Sequence, residues 1–430
     1  MKKFVWILLA LCLVLGCGVG YAASQNAPKG SGEPAALYDP ENIAAPELPE
    51  EPIETPAAAE EPEEPAEAEE PEQTETAPLR VLDYAALWAL HEPDEIVGSV
   101  DGRDVSWDEY FYWLHNWGTE AESYIRTMAM YGQSLDWGDK LSAESDETLA
   151  EYVLTLANDY TRQFSTIEAL AEDNGAGVTP AQAEELAAAL QETIVSACGE
   201  GASEEEFNAL LAESYISRGM YDRVGKAEYL VNNIRSALYG ENSAAISEEE
   251  ARAYLEEKGY LCATHILFMT IDPETYETLD EETIAQKAAQ AKAVYDELAA
   301  IGESGARLKR FAELKEQYCE DSGKARFPDG YLFTPGTMVT EFEDAVNALA
   351  EYEVSEPVQS FYGYHVIMRL PLDVEMAMSY SDDGAPKTAR DVYADEQFNA
   401  MMSAKVEASV LTLNDDVAAL DLTNYLVEAE

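Results

Sequence analysis

The feature that most constrains this chain is a change of pattern at Gly259. Before it, helix-start signals recur: Ser106, Thr179, Ser203 and Ser247 each carry Glu or Gln three residues later, the spacing of a capping box. Helices are expected from Trp107 onward and over 147–173, 180–197, 203–214, 220–239 and 247–258. Trp107, Tyr110, Phe111, Leu114 and Trp117 fall on one face of the first of these. That face reads as core, although a few exposed members would suffice to cradle an unfolded chain. Ahead of it, the Asp101-Gly102 pair between two short apolar runs signals a hairpin.

After Gly259 the period shortens. The run from Leu261 to Met269 reads as a strand, then helices over 281–301 and 308–317, a strand over 330–333, a short helix over 341–349, and a closing strand pair at 357–360 and 364–369. A chain patterned this way holds a mixed α+β domain. Two of its four histidines, His265 and His365, lie in the first and last of these strands, where propensity alone does not favour imidazole.

The termini differ in kind from this middle. Lys2-Lys3 followed by an apolar run has the charged start and hydrophobic centre of a secretory signal, so the protein is expected outside the cytoplasm. Val14-Leu15-Gly16-Cys17 is similar to the lipobox of bacterial lipoproteins, which makes Cys17 the expected lipidation site. Cleavage near Ala22-Ala23 and an uncleaved anchor both stay open, since residues 4–23 are long enough to span a bilayer. From residue 24 to about 80 the chain is Pro-, Glu- and Ala-rich, with no Lys or Arg over 41–78. Too little apolar surface and too much like charge mark a disordered acidic linker.

Charge then removes whole function classes. With 26 Lys+Arg against 85 Asp+Glu the formal charge is −59, which repels phosphate backbones and excludes nucleic acid as a partner. Cys198, Cys262 and Cys319 read as isolated buried thiols, with a Cys262–Cys319 bridge the alternative. No Cys/His spacing suits zinc, and no DxDxDG-type loop suits calcium, so no metal is expected.

Read together, Thr264-His265-Ile266-Leu267, the stretch from Tyr318 to Asp321, Pro335-Gly336-Thr337-Met338-Val339-Thr340-Glu341-Phe342-Glu343-Asp344-Ala345 and Gly363-Tyr364-His365-Val366-Ile367 resemble the parvulin family of peptidyl-prolyl cis/trans isomerases in order and spacing. The resemblance covers 261–370. With helices on both sides and a lipobox before it, the chain looks like the extracytoplasmic foldases of the PrsA/SurA type. It implies a four-stranded antiparallel sheet with helices, and tandem histidines His265 and His365 with Asp321 as the catalytic group. It also implies Met338 and Phe342 lining a slot for the proline ring, and Ser360 joining the hydrogen bonds beside the histidines. Where many members have Gly-Gly-x-Leu-Gly, this chain has Phe327-Pro328-Asp329-Gly330-Tyr331-Leu332. The remaining apolar wall then falls to Gly330, Leu332 or Tyr331.

The division implied is a signal segment (1–23), a linker (24–80), a mainly α-helical chaperone domain (81–258), the parvulin domain (259–373) inserted in it, and a C-terminal helical segment (374–430) that packs back on the helices. The implied activity is a membrane-anchored isomerase and chaperone, needing no cofactor, for unfolded secreted polypeptides that contain X-Pro bonds. The altered stretch 327–332 leaves a non-catalytic, peptide-holding chaperone as the alternative. The loop 270–280 contains no Lys or Arg, so phosphopeptide selectivity is not expected.

Overall fold

A computed structural model describes residues 79–142, 145–381 and 384–429; the signal, Cys17 and nearly all of the linker lie outside the described residues. In chain order come β1 (Arg80–Leu82), α1 (Tyr84–Trp88), the hairpin β2 (Ile96–Val100) and β3 (Arg103–Ser106), and then α2 (Trp107–Met130), α3 (Leu149–Asp173), α4 (Pro180–Cys198), α5 (Glu204–Glu213), α6 (Arg218–Tyr239) and α7 (Glu248–Glu257). Asp101 and Gly102 both take positive φ, as the tight hairpin turn requires.

Thr179, Ser203 and Ser247 form complete capping boxes, and so does Thr148 with Glu151 at the start of α3. Ser106 does not. Its hydroxyl donates to Asp108 at 2.5 Å, while Glu109 is drawn inward, 1% exposed, to meet Arg223 at 2.9 Å. The aromatic face of α2 is core: Trp107, Tyr110, Phe111 and Leu114 are buried together with Phe164, Phe207 and Ile234, and Trp117 packs partly buried at the edge. At about 3–5 kcal/mol for a buried Phe or Trp reduced to Ala, these residues outweigh helix propensity in holding the bundle.

The middle of the chain supplies β4 (Leu261–Met269), α8 (Glu281–Ala299), α9 (Ser304–Tyr318), β5 (Tyr331–Phe333), α10 (Thr340–Ala348), β6 (Val358–Gln359) and β7 (Gly363–Leu370). The strands form one antiparallel sheet in the order β5-β4-β7-β6. Alternation along the strands divides its side chains between faces. Ile266, Phe268, Val366 and Met368 pack under α8 and α9, whereas Ala263, Phe333 and Ile367 pack with Phe342 and Val346 of α10. Cys262 and Cys319 are free and belong to different clusters, so the alternative of a bridge between them is overturned.

The C-terminal segment holds β8 (Ser379–Tyr380), β9 (Pro386–Lys387), α11 (Ala389–Ala408), β10 (Leu411–Leu413), α12 (Asp415–Ala418) and β11 (Leu426–Glu428). β10 adds antiparallel to β2, and β11 pairs with β1. Phe398 of α11, Val417 and Leu422 enter the same buried cluster as Trp107. Arg235 of α6 reaches Asp395 at 2.6 Å, and Lys258 reaches Glu396 at 2.5 Å. Sequence alone predicts a helical segment; its four strands, of two or three residues each, are too short for an alternating pattern to show. Among the described residues, no helix is long and apolar enough to cross a membrane.

Candidate active site

The β4/β7 register sets Ile367 opposite His265 and His365 opposite Leu267, so the two imidazoles are diagonal neighbours on one face, within reach of each other. Their rings lie 5.2 Å apart and 11° from parallel, with Nδ1 to Nδ1 at 2.9 Å. His265 Nε2 meets Asp321 Oδ2 at 3.0 Å, and His365 Nε2 meets the Ser360 hydroxyl at 2.7 Å. Asp321, His265, His365 and Ser360 are each at least nine-tenths buried.

Donor counting fixes the Asp321 end of this row. Burial works to raise the Asp321 carboxyl, but the hydrogen bond and charge attraction of His265, the Tyr331 hydroxyl and the Gly323 N–H outweigh it and hold the group well below the usual carboxylate range. An ionised Asp321 accepts from His265 Nε2–H. One proton lies between the two Nδ1 atoms, and His365 Nε2 meets the Ser360 hydroxyl. Burial first, and then the neighbouring His265, lower His365 to about 3, which agrees with a neutral ring at that position. Ser360 in turn accepts the Tyr362 N–H at 3.1 Å.

Above the row lies an apolar ledge. The Phe342 ring stands edge-on to both imidazoles, with centroids at 5.3 and 5.7 Å, and Met338 packs partly buried against the same cluster. Glu343, which the sequence did not single out, accepts the N–H groups of Gly336 and Met338 at 2.9 Å and so fixes the loop that presents Met338. Lys315 was also missed, because a lysine on a helix reads as solvent-facing. It is buried, and its Nζ donates to Thr264 Oγ1 at 3.0 Å and to the Pro328 carbonyl at 2.9 Å, tying the loop before β5 to β4.

The structure therefore brings His265, His365, Asp321, Ser360, Met338 and Phe342 together. Ser360 lies in the row beneath the ledge and is not a slot wall. Leu332 is a correction: it faces away, packed with Cys262, Val374 and Met376, because in β5 the odd-numbered residues face the histidines. Gly330 supplies no wall either. Its φ is +126°, and a Cβ there would lie 2.6 Å from the Ala263 carbonyl oxygen, so no side chain fits. Tyr331 occupies the place instead, its hydroxyl donating to Asp321 Oδ2 at 2.5 Å. An anionic oxygen set beside an apolar ledge suits a neutral, partly apolar ligand whose polarity changes during reaction.

Set against known proteins, residues 265–370 match the family described as PPIC-type PPIASE domain. Foldase protein PrsA 1 of Bacillus cereus is 47% identical over 85 residues, which make up 20% of this chain and 27% of that protein. Foldase protein PrsA of Geobacillus kaustophilus is 30% identical over 183 residues, 42% of this chain and 56% of that protein. The chain thus spans about a quarter and just over half of the length of these two curated relatives. The crystal structure of PrsA from Bacillus subtilis aligns over 74% of this chain and 91% of its own, at 17% identity and a TM-score of 0.25.

Proposed function

We propose, from the premise that this chain carries a PPIC-type PPIase (parvulin) domain over residues 265–370, that it is a peptidyl-prolyl cis/trans isomerase and chaperone for secreted proteins. The observation that carries the reading is the buried hydrogen-bonded row Ser360–His365–His265–Asp321 beneath Met338 and Phe342. Rotation about X-Pro must break amide resonance, a barrier of ~18–20 kcal/mol. The ledge holds the proline ring while the preceding carbonyl turns. The Asp321 anion disfavours the charge-separated resonance form of the amide, an effect that a dry site enlarges. No bond to a second reactant is made or broken, so the reaction calls for no cofactor. Clients are unfolded polypeptides that contain X-Pro bonds.

The domain at 259–373 is an insertion, with 81–258 and 374–430 forming one composite chaperone domain. The pairing of β10 with β2 and β11 with β1, and the burial of Phe398 in the same cluster as Trp107, support this division. In the helical part, a cleft of about 350 Å³ between α4 and α6, lined by Tyr112, Leu186, Leu190, Ile216 and Val224, supports the chaperone role. The protein acts outside the cytoplasm, anchored to the membrane through lipidated Cys17; the sequence of residues 1–23 supports this. The holding-only reading draws on one observation, the missing wall at Gly330.

Proline-limited refolding of a secreted client tests the two readings. With the full chain at catalytic amounts, the slow phase should shorten; suppression of aggregation without any change in that phase would leave the holding role alone.

A further inference from the structure

We propose that Tyr331 is a positioning residue of this site: its hydroxyl, seated in a recess kept open by Gly323, fixes the Asp321 carboxylate in the orientation that meets His265. The inference rests on the isomerase reading above.

Three donors occupy the carboxylate. Oδ2 accepts the Tyr331 hydroxyl at 2.5 Å and His265 Nε2–H at 3.0 Å, and Oδ1 accepts the Gly323 N–H at 3.0 Å. Without the hydroxyl, Oδ2 keeps one partner and the carboxylate is free to swing about its χ2 bond, a broad torsion with little preference of its own. The phenol itself does not swing. Its ring stands edge-on to His265 at 5.8 Å and lies against Phe327 at 5.3 Å, and Phe327 is met in turn by Tyr380 at 5.7 Å.

The recess is built for an oxygen. A Cβ at Gly323 would stand 2.4 Å from the Tyr331 hydroxyl, closer than non-bonded atoms approach. Gly330, by taking a φ closed to other residues, lets the chain enter β5 so that residue 331 lands on the histidine face. Two glycines and one tyrosine thus cooperate on a single hydrogen bond, which packing alone does not require. Burial and the adjacent Asp321 raise the phenol above its ordinary range, so it stays protonated and donates.

The test uses the full chain with Tyr331→Phe, Gly323→Ala and the double variant, each checked for fold by circular dichroism. Tyr331→Phe keeps the ring and should lower kcat roughly tenfold, the size of a hydrogen bond to a charged group, with KM little changed. Its acid limb of activity should move to higher pH, since Asp321 loses a donor that favours the anion. Gly323→Ala should cause a similar fall in the Tyr background and add little in the Phe background, because the clash is with the hydroxyl. Unchanged kcat and pH profile in Tyr331→Phe, or losses that simply add, would overturn the proposal. Carbon NMR of the Asp321 carboxyl separates this from failure of the isomerase reading, since it needs no turnover: the titration should move to higher pH in Tyr331→Phe. An unmoved titration would also overturn the proposal, whatever the activity of the parent chain.

Discussion

In the helical region, Glu109 is 1% exposed between Ser165 and Arg223, and Arg223 forks onto Glu168 at 2.8–3.0 Å, which Arg103 approaches at 3.5 Å. In the sheet, Asp321, His265, His365 and Ser360 form a row of similar burial. Both are buried polar clusters, yet they differ in how their charges are met. The first joins β3, α2, α3 and α6 through full charges that cancel, so its members matter as a set that holds helices in register. The second has the Asp321 carboxylate at one end with two imidazoles and a hydroxyl behind it, and it lies under the Phe342–Met338 ledge. The helical cluster pairs each acid with an arginine, whereas the Asp321 carboxylate is met by an imidazole, a phenol and a backbone N–H.

That contrast can be broken most forcefully at Arg223. Arg223→Met leaves Glu109 buried without its cation, and loss of one partner of such a pair costs about 3–5 kcal/mol. Urea unfolding should show the loss, while turnover per folded molecule stays as it was. Equal loss of turnover at a temperature where the variant is folded would mean that the two clusters are coupled.

Acid should separate them next. His365 binds its proton at about 3 when folded and near 6.5 when unfolded. Between those values the unfolded chain holds more protons, so stability falls as pH is lowered through the window, by about 2 kcal/mol from pH 6.5 to 5. Glu109 acts in the opposite sense, because burial, only partly offset by Arg223, raises its carboxyl and acid relieves it. His115, which burial lowers to about 4, adds to the His365 trend from the helical side. The His365 share is therefore read as the difference between the parent chain and His365→Gln; equal pH slopes in the two would contradict a neutral buried ring.

The smallest effect belongs to the far end of the row. Ser360→Ala removes the hydroxyl partner of His365 Nε2 and should cost about 1 kcal/mol in stability and only a few-fold in rate, since the anion is two rings away. Nitrogen NMR of the imidazoles would report a lost tautomer preference at His365.

The two clusters also differ in how far the sequence disclosed them. The row was legible because strand alternation, the order of short motifs and two histidines in strands all pointed to one place. Glu109, Glu168 and Arg223 were not, since residues 55 to 114 positions apart on three helices each look like ordinary solvent-facing charge. Tyr331 was weighed only as a possible apolar wall, because its value depends on space at Gly323, which no spacing reveals. Leu332 was misplaced by one position, enough in a strand to send a side chain through the sheet. The aromatic face of α2 as core, the hairpin at Asp101-Gly102 and most helix starts were read correctly from local chemistry. Strands β8 to β11 were missed because two or three residues are too few to alternate.

The most direct measurement is the cis/trans exchange rate of an X-Pro peptide, followed by exchange NMR with the full chain and with Asp321→Ala. The parent chain should accelerate exchange, and Asp321→Ala, still folded, should lose roughly 10²-fold of that acceleration. Equal acceleration by both proteins would show that the Asp321–His265–His365–Ser360 row is scaffolding and not the seat of the reaction.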